Sequence, residues 1–97
     1  MDIYYLMIEA VPNPDNPESA KCKGAYINFW IKTSTFEEAL SLAKEYIAEE
    51  NWSYINTEDT GIAKRELIDN PDALDCYDEA CENGLGVAFY CWENDED

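Results

Sequence analysis

The sequence predicts an α+β domain: an antiparallel sheet of four to five strands with two helices on one face. Short β-branched and aromatic runs bounded by turn residues recur at 2–10, 25–33, 52–58, 61–67 and 85–92. Two longer stretches, 34–50 and 71–83, repeat apolar residues at helical spacing. The order is β, β, α, β, β, α, β. Without its first strand this is βαββαβ, the ferredoxin-like order, preceded by an extra N-terminal strand. A chain of 97 residues has room for a single domain, 1–97, around one core.

The opening "MDIYYLMIEA" supplies the first strand, 2–10. Its apolar run, Ile3 to Ile8, is short and has no basic segment before it, so it reads as a strand rather than a signal peptide. No run reaches the roughly 18–20 apolar residues that a bilayer crossing requires. A cytoplasmic protein with reduced cysteines is therefore expected. Residues 11–24 contain Pro12, Pro14 and Pro17, which exclude helix and central strand and predict an exposed loop. "AYINFWIKT", 25–33, is the clearest strand.

Ser34 and Glu37 have the spacing of a capping box. At about 100° per residue, Phe36, Ala39, Leu40, Ala43, Tyr46 and Ile47 then share one helix face, with Glu38, Glu45 and Glu49 opposite and Leu42 off the stripe. A turn at 59–61 separates the strands at 52–58 and 61–67. Asn70 caps the second helix and Pro71 fills its first position, where a missing amide is harmless. Leu74, Tyr77 and Cys81 form its buried stripe, Asp72, Asp75, Glu79 and Glu82 line the other side, and Asn83-Gly84 ends it. The last strand, 85–92, leads into the acidic tail 93–97.

Charge is the unusual property. Six basic residues face 22 acidic ones, a net −16, and no basic residue follows Arg65. Such a field opposes binding to nucleic acid or to an anionic membrane. With both helices on one face, Glu38, Glu45, Glu49, Asp72, Asp75, Glu79 and Glu82 would merge into one acidic plateau. Asp75 with Glu79, and Asp78 with Glu82, are like-charge pairs four apart on a helix, so local stability does not explain the choice. Solubility is one explanation. A basic protein partner, steered by complementary charge, is the other.

Strand alternation gives a second surface. Ala25, Ile27, Phe29 and Ile31 suit the helices, as do Leu85, Val87, Phe89 and Cys91; Tyr26, Trp30, Trp52, Tyr54, Tyr90 and Trp92 are expected on the opposite face. A sheet face so aromatic is a candidate contact for a partner or a second copy, since tyrosine and tryptophan are favoured in interfaces. A lid formed by the proline loop or the first strand, and a small-ligand site, are the alternatives.

The chain has no histidine, which removes the commonest general base together with Ser-His and Cys-His nucleophile pairs. Its glycines form no phosphate loop. Cys22, Cys76, Cys81 and Cys91 lack the short knuckles of a zinc site, and no EF-hand spacing occurs. The expected function is a non-enzymatic protein-binding module without cofactor. In size and acidity the chain resembles small bacterial immunity proteins and antitoxins, a likeness of composition with no motif behind it. That resemblance implies inhibition of a basic toxin. The alternative is a homodimeric ligand-binding or accessory domain whose acidity serves solubility.

Overall fold

The computed structural model describes residues 1–93. The strands are β1 (Asp2–Pro12), β2 (Cys22–Thr33), β3 (Trp52–Ile62) and β4 (Leu85–Glu93); the helices are α1 (Phe36–Glu49) and α2 (Pro71–Asn83). The class is α+β, with one antiparallel four-stranded sheet in the order β3-β1-β2-β4. This is not the ferredoxin-like order, and there is no fifth strand among the described residues. The predicted acidic tail lies outside them, apart from Glu93.

Two of the predicted strands are one. Residues 52–58 and part of 61–67 form β3, and the expected turn at 59–61 is paired to β1, Asp59 with Met7 and Gly61 with Tyr5. Register shifts between Met7 and Ile8 and between Glu9 and Ala10 accommodate the extra residues of β3. Residues 65–67 are a short 3-10 turn.

The proline segment is also more ordered than expected. β1 continues to Pro12, β2 starts at Cys22, and Pro17–Ala20 is a 3-10 turn. Asn16 is buried; its Nδ2 donates to the carbonyl of Asn51 at 2.8 Å and its Oδ1 accepts from the Glu18 amide at 2.9 Å. These bonds tie the loop to the corner between α1 and β3.

The helices lie on opposite faces of the sheet, which corrects the central expectation of the sequence reading. Ala39, Ala43 and Ile47 of α1 pack with Leu6, Ile8, Ala10, Ala25, Ile27, Phe29 and Ile31. Ala80 of α2 packs with Ile3 and Trp30, flanked by Tyr5, Cys76, Tyr77 and Ala88. Trp30 stands between Phe29 and Ile31 in β2, so its side chain points to the other side. The connections agree: α1 joins the two strands that flank β1, and α2 joins the two edge strands.

Local signals fix both helices. Thr35, one residue after the predicted cap, is the N-cap of α1 and its Oγ1 accepts from the Glu38 amide at 3.1 Å. Glu38 in turn accepts from the Thr33 hydroxyl at 2.5 Å. In α2, Asn70 Oδ1 accepts from the amides of Asp72 and Ala73, and Gly84 ends the helix in the left-handed region at φ 94°. The buried stripe is Ala73, Cys76, Tyr77 and Ala80, and the predicted Cys81 is exposed. Small residues there let the helix approach the sheet closely. A Cβ at Gly86 would stand 2.0 Å from the Cys76 carbonyl oxygen.

Candidate binding face

Helix α2 covers one end of its sheet face and leaves the other end open. Register alignment gives the rows: Tyr5 beside Trp30 and Gly86, then Met7 beside Asn28 and Ala88, then Glu9 beside Tyr26 and Tyr90. Asp59 extends the Met7 row onto β3. Trp30 and Gly86 lie beneath the helix, and Trp30 is 3% exposed. Farther out, Tyr26 and Tyr90 are 39% and 46% exposed, although both belong to the sheet.

Trp92 completes this surface. A Cβ on Gly24 would come within 2.5 Å of the Trp92 ring, so the absence of one lets the indole lie down against the sheet. The same ring meets Tyr26 at a centroid distance of 5.0 Å and 55° between planes. The result is an amphipathic aromatic platform edged by the carboxylates of Glu9 and Asp59.

A groove of about 370 Å³ runs between the platform and the segment leading into α2. Tyr5, Trp30, Tyr90, Ile62 and Leu67 provide apolar walls, and Asn28, Lys64, Asp69 and Asn70 are polar members of the lining. Asn28 Oδ1 is enclosed and accepts no hydrogen bond. Tyr5 has its pKa raised, mainly by burial and then by the charge of Asp59 and by Tyr90.

Of the aromatic residues predicted to share a face, Tyr26, Trp30, Tyr90 and Trp92 do so, but Trp30 is core rather than contact. Trp52 and Tyr54 belong to the α1 side. Trp52 is 6% exposed, with its ring 5.5 Å from Phe89, and Tyr54 receives the Lys44 ammonium 4.6 Å from its centroid. The register irregularities in β3 shift its alternation, and a sequence read at strict period two does not show them.

The predicted acidic plateau does not form. Glu38, Glu45 and Glu49 lie on α1, while Asp72, Asp75, Glu79 and Glu82 lie on α2 across the sheet. Several carboxylates in these helices also have local partners. Glu38 holds Thr33, Glu79 accepts from Asn83 at 2.6 Å, and Asp78 pairs with Arg65 at 3.2 Å. Lys32 donates to the Cys81 carbonyl at 3.2 Å, placing a cation at the negative end of α2. Much of the acidity therefore remains as a diffuse field.

Met7, Glu9, Asn28 and Asp59 escaped the sequence reading. Asn28 had a signal: an amide within the run "AYINFWI" disfavours a strand interior unless its polar group is wanted there. Among the described residues, no group of three or more cysteines and acids could hold a metal, and no helix is long and apolar enough to cross a membrane. Burial, and then Asp75, Asp72 and Glu79, raise the pKa of the Cys76 thiol, which disfavours the nucleophilic thiolate.

An enclosed acceptor without a donor weakens the fold. Asn28→Leu, which keeps the branched shape of the side chain, is therefore expected to raise the unfolding free energy by about 1 kcal/mol, and Tm by roughly 4–8 °C. Thermal denaturation checks this, and a fall in Tm would show that the Asn28 amide is satisfied in solution. No family model, curated protein or solved structure matches the chain.

Proposed function

We propose that this chain is a non-enzymatic protein-binding module that engages a basic protein through the half-face left open by α2. The observation supporting this reading is the joint exposure of Tyr26 and Tyr90, paired between β2 and β4, with Glu9 beside Tyr26 and Asp59 in the next row on β3. Tyrosines offer large, rigid contact area with little side-chain entropy to lose, and the carboxylates select positive charge. The net charge of −16 extends that selection to the encounter, raising association rates at low salt. Inhibition of a basic toxin, in the manner of an immunity protein or antitoxin, is the form of this function that the composition favours.

The test is capture from native lysate on immobilised wild type and on Tyr26→Ala/Tyr90→Ala. The expected result is a basic protein held by wild type, released by high salt and absent from the variant. Equal capture of the same protein by both would refute the reading.

A second reading is self-association. Strand β4 is at the sheet edge and exposes Phe89 and Tyr90 on its two faces, a pattern that invites pairing between copies. Repulsion between two chains of −16 opposes it. Sedimentation velocity is expected to show a monomer; a dimer lost in Tyr90→Ala would favour the second reading.

A further inference from the structure

The groove beside the platform has a chemistry more selective than general acidity. Tyr5, Asn28 and Tyr90 line it, and Asp59 stands on the adjacent strand β3 in the Met7 row, next to the row of Tyr5. Lys64 lines it as well, opposed by Asp69, so these two contribute no net charge. Asn28 lines it, but its Oδ1 is enclosed and accepts no hydrogen bond from the protein. Rotation about the soft terminal torsion of the amide presents that oxygen to a guest.

A purely apolar guest would leave this acceptor unsatisfied, and an anionic one would meet Asp59 and the field of the whole chain. Guanidinium meets the requirements. It has donors and no acceptor, it is planar and weakly hydrated, and it stacks on aromatic rings. An ammonium is a compact, strongly hydrated charge that gains less from flat apolar walls. Resting on the reading of the open face as the site of a basic partner, we infer that the groove receives an arginine side chain of that partner, with Asn28 as acceptor, Asp59 as a negative charge outside the lining, and Tyr5 and Tyr90 as stacking surfaces.

Titration of the full chain with N-acetylarginine amide, followed by amide and indole NMR signals, tests the assignment. Saturable shifts are expected at the Asn28 side-chain amide and the Trp30 indole. Binding should be about five-fold tighter than for the lysine or citrulline analogue. Asn28→Leu, and independently Asp59→Asn, should weaken it by about five-fold, whereas Lys64→Glu should strengthen it. Citrulline binding as tightly as arginine, or shifts that miss the groove, would overturn the assignment. Absence of an arginine preference with partner capture intact removes this inference alone, whereas equal capture of the partner by wild type and Tyr26→Ala/Tyr90→Ala removes the reading beneath it.

Discussion

Gly86→Val is expected to lower the unfolding free energy by about 3 kcal/mol or more. The reason is steric and lies in the backbone. Even the first carbon of a side chain at residue 86 would stand 2.0 Å from the Cys76 carbonyl oxygen, and that oxygen belongs to a helix that cannot yield locally. Relief requires α2 to lift from β4, which uncovers Trp30, Ile3 and Ala80. In a domain of this size such a loss corresponds to a fall in Tm of more than about 12 °C. Tryptophan emission should shift to the red as Trp30 meets water. Gly61→Ala is the control, because a Cβ there meets nothing within 4 Å. Its effect should stay within about 0.5 kcal/mol. Equal stability of the two variants in urea titration would mean that α2 is not seated on β4.

Trp30→Ala is the second large effect, and it separates two residues that look alike in sequence. Trp30 is 3% exposed and its ring lies 5.3 Å from that of Tyr5, wedged beneath α2, whereas Tyr90 is 46% exposed. Truncating a buried tryptophan removes its transfer free energy and leaves a cavity, at a cost of about 3–5 kcal/mol. Set against a typical domain stability of about 5–15 kcal/mol, that leaves the protein close to unfolding. Tyr90→Ala removes a contact mostly with solvent and should change stability by no more than about 1 kcal/mol. Paired urea titrations check the contrast. Similar losses for both would place Tyr90 in the core and remove the open face.

The elements with strong local chemistry were legible in the sequence. Asn70-Pro71 and Asn83-Gly84 bracket α2 as expected, because capping and left-handed termination depend on a few adjacent residues. The α1 stripe is likewise local, and even its misfit, Leu42, is exposed as its position implies. What failed was the assignment of faces. β1 is apolar on both sides, Leu6 and Ile8 toward α1 and Ile3 and Tyr5 toward α2, so alternation carried no polarity to read. The α2 side is built from alanines and glycines whose value lies in close approach rather than hydrophobicity. Gly61, taken for a turn, sits in β3 paired with Tyr5. The tyrosines of the open face were found, but Asn28 was not, because an orphaned acceptor exists only once its neighbours are placed.

Placing the helices on opposite faces also changes what the acidity can do. Carboxylates spread over two sides cannot form one docking surface, yet their long-range field still draws in cations. The short-range choice then falls to the platform. The most direct measurement compares partner capture by three immobilised proteins: wild type, Tyr26→Ala/Tyr90→Ala, and Glu45→Lys/Glu49→Lys on the far side of the sheet. The aromatic variant is expected to lose the partner, while the charge-reversed protein binds it more slowly but still holds it. Retention by the aromatic variant, with loss on reversing Glu45 and Glu49, would contradict that expectation.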